Sequence, residues 1–220
     1  MNAPGNIRRD PGADGIVTLT FDRPGSSANV FDRAALEELD ALLATLETAT
    51  DVRGVVIASA KPAIFVAGAD LHAFSPAPDE ATLSALIDLG HNVFERLARL
   101  PIPSVAAIHG VCLGGGCELA LACDWRIAST AKVTRIGLPE TQLGILPAWG
   151  GSTRLPALIG LPAALKMILA GRPVAGSQAL RLGLVDDLAP PEYLAAAARA
   201  LLARGRRPRA ARRLLHLPPL

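Results

Sequence analysis

Cysteine is scarce in this chain, with three among 220 residues. That odd, small number cannot build the disulfide framework of a secreted scaffold and fits a reducing compartment. The three, Cys112, Cys117 and Cys123, are spaced by five and six residues with no histidine pair in a ligand pattern beside them. They read as buried inert thiols, and no metal site is expected. No apolar run approaches the roughly 20 residues that a membrane span needs. Residues 1–10 contain no apolar stretch of the kind a signal peptide carries. The expectation from these absences is a cytoplasmic protein without a membrane span. Half of the residues are hydrophobic and 19% are charged, which excludes a disordered chain. The length suffices for one domain with a substantial core.

Acidic residues are missing from the end. The last is Glu192, and residues 1–198 hold 15 basic and 20 acidic residues, a net of −5. From Arg199 to Arg213 there are seven arginines and no acid, a net of +7. Such a tail can bind anions, nucleic acid included. No aromatic residue interleaves its arginines, so base stacking is unsupported and nucleic acid is not an expected partner. A solvated tail or a linker is the simpler reading.

Hydrophobic spacing marks the elements. Residues 16–21 alternate apolar and polar as a strand does. From Asp32, a helix-capping type, Leu36, Leu39, Leu43 and Leu46 recur on one helical face. Short apolar runs at 55–58, 64–66 and 105–108 read as buried strands, and 79–100 as an amphipathic helix. An apolar helix is expected at 117–123, strands near 125–128 and 133–136, and helices at 151–159, 163–170, 177–182 and 192–204. Strands alternating with helices argue an α/β class.

Two carboxylates and two glycine segments can carry chemistry. Glu118 is the single acid in Cys117–Cys123, a stretch with no polar face. Buried there, its charged form is penalised and its pKa rises, as general acid–base work requires; an exposed first-turn glutamate is the alternative. Glu140 follows Pro139, which suits a helix start, and by its surroundings alone reads as structural. Ala67-Gly68-Ala69-Asp70 and Gly114-Gly115-Gly116 each end a strand. Side-chain-free backbone there can offer N–H groups to an oxyanion or a phosphate, or simply make a tight turn. The run from Gly110 is not G-x-G-x-x-G, and no Gly-Lys-Ser/Thr follows it.

Taken together, the segments resemble a family. Residues 105–120, VAAIHGVCLGGGCELA, with 65–71, 138–147, 150–156, 169–172 and 179–186, are similar in order to the signature of the enoyl-CoA hydratase/isomerase (crotonase) superfamily. Residues 21–30 look closest to the hydratase domain that opens multifunctional fatty-acid oxidation enzymes. The resemblance implies an α/β fold, a crotonase-like spiral of ββα units with a short C-terminal helical segment. A catalytic core over 1–190 and a truncated, Arg-rich segment over 191–220 are expected. It implies that the backbone N–H groups of Ala69 and Gly115 form an oxyanion hole. Glu118 would activate water for attack at Cβ, and Glu140 would deliver a proton to Cα. Ala67, Gly68, Asp70, Leu71, His72 and Gly114 would line the acyl-CoA. Retention of both glutamates favours an enoyl-CoA hydratase acting on an acyl-CoA thioester. No cofactor is implied, since coenzyme A is part of the substrate. A homotrimer or hexamer and a downstream dehydrogenase domain are further implications. The alternatives are a Δ3–Δ2 enoyl-CoA isomerase and an inactive, truncated interaction module. Departures from the family pattern are His109-Gly110 where Asn-Gly is common, the bulky Trp149 beside the acyl pocket, and only 34 residues after Asp186.

Overall fold

In the computed structural model, residues 5–70 and 79–208 are described. Leu71, His72 and the arginines from Arg209 onward lie outside the described residues. Among the described residues there are ten strands, β1 (Ile7–Pro11), β2 (Ile16–Phe21), β3 (Gly54–Ser59), β4 (Ile64–Val66), β5 (Ser104–Ile108), β6 (Val111–Leu113), β7 (Trp125–Ser129), β8 (Arg135–Gly137), β9 (Val174–Ala175) and β10 (Asp187–Ala189). The helices are α1 (Arg33–Thr48), α2 (Glu80–Arg99), α3 (Gly115–Ala122), α4 (Gly151–Ile159), α5 (Leu161–Ala170), α6 (Gly176–Leu182) and α7 (Leu194–Leu202), with a 3-10 turn at Glu140–Leu143.

The strands form two sheets, ordered β1-β2-β3-β5-β7-β10 and β4-β6-β8-β9. Strands β2, β3, β5, β7 and β10 run parallel, as do β4, β6 and β8. The chain repeats one move: a strand in the large sheet, a strand in the small sheet, then a helical segment. The repeats are β3-β4-α2, β5-β6-α3 and β7-β8 with the 3-10 turn, which is the expected spiral of ββα units. The consequence for function is geometric. Three successive parallel strands of the small sheet end side by side, and each hands the chain to one of the segments singled out above.

The helices form for the reasons their spacing suggests. Asp32 caps α1 by accepting the Ala35 N–H at 2.8 Å, and Asp79 caps α2 by accepting that of Thr82 at 2.9 Å. Leu36, Leu39, Leu43 and Leu46 on α1 are all fully buried, each contributing about 1.5–3 kcal/mol of transfer free energy. Helix α7 covers the other face of the large sheet, with Leu194, Ala198, Leu201 and Leu202 against Val56, Val105 and Ile127.

Some elements differ from the sequence reading. The edge strand β1 was not anticipated, because four of its five residues, Arg8 to Pro11, are exposed and it shows no alternation. The helix expected from 117 begins at Gly115, so two glycines form its first turn. Glu140 opens a four-residue 3-10 turn instead of a longer helix. The start of the basic tail is not simply solvated. Arg207 stacks over the Trp125 ring at 4.3 Å and ion-pairs with Asp186, while Trp125 Nε1 donates to Gly205 O at 2.7 Å and Arg206 Nη2 to Ala98 O at 3.1 Å. The three cysteines are free and buried as expected, and burial pushes the Cys123 thiol up to about 12.

Helix α3 lies directly against β4, and a Cβ on Gly116 would collide with the Val66 carbonyl. Gly116→Ala is therefore expected to destabilise the fold by about 1–3 kcal/mol through overpacking. A urea-unfolding midpoint equal to that of the unaltered protein would contradict this contact.

Candidate active site

Helix α3 is eight residues long and every one of them is buried. Its two ends carry complementary charges, which the helix dipole favours. At the C-terminal end the buried Arg126 donates through Nη1 to Cys123 O at 2.8 Å and Ala120 O at 3.2 Å, and pairs with Asp186 at 3.3 Å. In the first turn sits Glu118, 2% exposed. Of the two sequence readings of Glu118, the buried one is correct.

A carboxylate in that position needs donors, and the backbone supplies them. Glu118 Oε1 accepts the N–H groups of Trp149 and Gly151, each at 2.8 Å. The turn between β8 and α4 thus wraps the acid from outside. Burial is the leading cause that pushes the Glu118 carboxyl up to about 7; the Glu140 carboxylate adds to the rise, while the two N–H groups and Arg154 oppose it. Glu140 is 8% exposed, its Oε2 is buried without a hydrogen-bond partner, and burial raises its pKa as well. The structural reading of Glu140 is thereby weakened: a buried carboxyl oxygen with no partner stabilises nothing by itself.

The glycine segments meet the two acids. Gly114 adopts φ +52°, a conformation that side chains rarely take, and a Cβ there would approach Glu140 Oε1 to 3.2 Å. On its other side Gly68 faces this strand end: a Cβ on Gly68 would lie 3.2 Å from Leu113 O and 3.6 Å from Gly115 N. Ala69 pairs with Phe31 as an isolated parallel bridge, in which Phe31 N donates to Gly68 O and Asp70 N to Phe31 O, both at 2.8 Å. That pattern turns the Ala69 N–H away from Phe31. Among the described residues no backbone acceptor takes the N–H of Ala69 or Gly115. Ala67 N is tied to Asn29 O at 2.9 Å, and the Asp70 carboxylate lies 3.3 Å from Arg23 Nη2. Two candidate substrate-lining residues, Leu71 and His72, fall outside the described residues. His109 is half-buried beside Lys61 O at 2.5 Å.

Two residues brace this arrangement: Asn29, which carries no local signal in the sequence, and Trp149, which the sequence marks only by its bulk. Buried Asn29 donates through Nδ2 to Phe21 O, Ser59 Oγ and Phe65 O and accepts Arg23 N–H. It ties β2, β3 and β4 together behind Ala67. Trp149 is 5% exposed and packs edge-on against Phe31 and Phe94, with ring centroids 5.7 and 5.6 Å away. A Cβ on Gly115 would come within 2.5 Å of this ring.

The arrangement predicts a conflict between stability and the acid's placement. The folded Glu118 holds its proton to about pH 7, whereas an unfolded glutamate releases it near 4.5. Between those values the folded state binds more protons than the unfolded, so stability falls as pH rises and stays lower above pH 7. Glu118→Gln removes this penalty. The variant is expected to gain on the order of 3 kcal/mol over the unaltered protein between pH 4.5 and pH 8. Equal pH dependence of the two in chemical denaturation would contradict the placement.

Comparison with known proteins gives the arrangement its relatives. The enoyl-CoA hydratase/isomerase family profile matches residues 12–216. The fatty acid oxidation complex subunit alpha of Shewanella baltica is 44% identical over 200 residues, 91% of this chain and 28% of that protein. Its Vibrio cholerae counterpart is 46% identical over 185 residues, 84% of this chain and 26% of that protein. The chain thus spans little more than a quarter of these curated relatives. Among solved structures, an enoyl-CoA hydratase of Bacillus anthracis superposes with a TM-score of 0.85 at 35% identity, covering 90% of this chain and 76% of that one. Human mitochondrial delta3-delta2-enoyl-CoA isomerase superposes with a TM-score of 0.85 at 32% identity, with the same coverage. The fold is the crotonase spiral, and the chain belongs to the enoyl-CoA hydratase/isomerase family.

Proposed function

We propose that the chain is an enoyl-CoA hydratase that adds water syn across a trans-2-enoyl-CoA, giving the 3-hydroxyacyl-CoA in fatty-acid β-oxidation. The observation that carries this reading is the pair of buried carboxyls. Glu118 and Glu140 interact electrostatically, both are raised by burial, and Glu140 abuts Gly114, the residue before the free Gly115 N–H. An isomerase, which moves one proton along the substrate, needs one such group; adding water needs one to accept a proton and one to give it.

The mechanism follows from those placements. The thioester oxygen accepts the N–H groups of Ala69 and Gly115, which need no reorganisation as enolate charge develops. Glu118, ionised and oriented by Trp149 and Gly151, takes a proton from water as its oxygen bonds to Cβ. The electron pair of the double bond moves onto the thioester. The two charges repel, so with Glu118 ionised Glu140 holds a proton, which it gives to Cα as the enolate collapses. Two interacting carboxyls favour a state in which one is protonated and one is not, which this step requires. The addition is redox-neutral, and coenzyme A belongs to the substrate, so the step calls for no further cofactor. Assembly as a trimer or hexamer and a dehydrogenase domain in a longer polypeptide complete the reading. The match spans only 28% of the Shewanella baltica relative, which leaves room there for a further domain.

A second reading has a specific observation behind it. Glu140 Oε2, buried and unpartnered, could alone shuttle a proton between C2 and C4 of a 3-enoyl-CoA, which is Δ3–Δ2 isomerisation. On the hydratase reading, Glu118→Gln and Glu140→Gln each lower crotonyl-CoA hydration by about 10²–10⁴-fold with circular dichroism unchanged. On the isomerase reading Glu118→Gln leaves 3-enoyl-CoA turnover largely intact and exceeds any hydration. Near-unaltered hydration in both variants would overturn the hydratase reading.

A further inference from the structure

Arg154, on α4, has no part in the reaction as described, yet its contacts lead directly to the acid. Its Nη1 donates to the Trp149 carbonyl at 2.9 Å and its Nη2 to Glu95 Oε2 on α2 at 2.7 Å. Glu95 is braced in turn by Arg99, with Nε 2.7 Å from Oε1. To reach the carbonyl, the guanidinium crosses Gly150, where a Cβ would collide with it and where φ is +105°. Only glycine satisfies both conditions at that position. The same residue whose carbonyl Arg154 holds donates its own N–H to Glu118 Oε1 at 2.8 Å. With the Trp149 ring wedged between Phe31 and Phe94, the carbonyl, the ring and the N–H of that residue are all fixed.

The geometry points to Arg154 as a positioning residue: by holding the Trp149 carbonyl across Gly150, it aims the Trp149 and Gly151 N–H groups at Glu118. It links α2 to the proton-accepting carboxyl without touching substrate. A plain tie between α2 and α4 would need only the Glu95 pair, 2.7 Å long and partly exposed, and such pairs contribute little. The carbonyl bond and the glycine beneath it serve no such tie. Among the described residues, the charged and titratable groups facing Glu118 are Glu140 from the 3-10 turn, Arg154 from α4 with Glu95 of α2 behind it, and Cys117 on its own helix. Burial keeps Cys117 protonated. Losing Arg154 therefore removes the one cation of the set.

The inference rests on Glu118 serving as the base of the proposed hydratase, and the test separates the two. Arg154→Met, Arg154→Lys and Glu95→Gln would be compared with the unaltered protein and with Glu118→Gln. In crotonyl-CoA hydration from pH 5 to 9, Arg154→Met is expected to lose about 10–100-fold in kcat with KM within about twofold. The acidic limb of its kcat profile moves to higher pH. Arg154→Lys recovers part of both effects by restoring the charge, and Glu95→Gln shows a smaller loss in the same direction. A folded Arg154→Met with unaltered kcat and acidic limb, or with its loss confined to KM, overturns the inference while leaving the hydratase reading intact. Infrared titration of the carboxyls reads Glu118 without any substrate. Its band, identified by its absence in Glu118→Gln, shifts to higher pH in Arg154→Met; an unmoved band overturns the inference whatever the enzyme's activity. Should Arg154→Met fail to fold, Arg154→Lys and Glu95→Gln carry the same readouts.

Discussion

One almost completely buried carboxyl governs the rest of this structure. Glu118 sits in a helix buried on all sides, and an ionised acid there costs several kcal/mol unless its surroundings compensate. The compensation is local and made largely of backbone. Two N–H groups at the start of α4 meet one oxygen, the dipole of α3 favours the charge, and Arg126 balances the opposite end of α3. The result is a carboxyl poised near 7 instead of one firmly ionised. Complete compensation would have produced an ordinary carboxylate; none would have produced a permanently protonated acid.

The spiral topology makes the other groups converge on this one. Strands β4, β6 and β8 lie side by side and parallel in the small sheet. Ala69, Gly115 and Glu140 each follow the end of one of them within three residues. Side-chain-free backbone at Gly68 and Gly114 lets the first two strand ends approach each other and lets Glu140 lie against them. Asn29 holds the first of these strands to the large sheet. The site is thus assembled by sheet register, and the large sheet with α1 and α7 provides the rigid support behind it.

Much of this was legible in the sequence, and the parts that were not share a cause. Leu36, Leu39, Leu43 and Leu46 announce α1 through their spacing, and a lone acid in the apolar run around Glu118 announces a carboxyl in an unfavourable place. Glu140 gives no such signal, since a four-residue 3-10 turn has no periodicity and its burial is created by strands distant in sequence. A chemical role for it is implied only by the resemblance. Arg154 is not singled out by the sequence, because its partner, Glu95, is 59 positions away. The structural repeat is equally hidden: β3, β5 and β7 begin at 54, 104 and 125, so no fixed period links them. The first arginines of the tail looked solvated because Trp125 and Asp186, which hold Arg207, belong to other elements.

The central claim is that the two carboxyls serve one side of one bound substrate, one taking a proton and the other giving it. Hydration of crotonyl-CoA in heavy water tests this most directly, with the product's configuration read by nuclear magnetic resonance. The account predicts one deuterium at C2 in a single configuration, on the same face as the oxygen added at C3. Mixed configurations at C2, or deuterium on the opposite face, would contradict it.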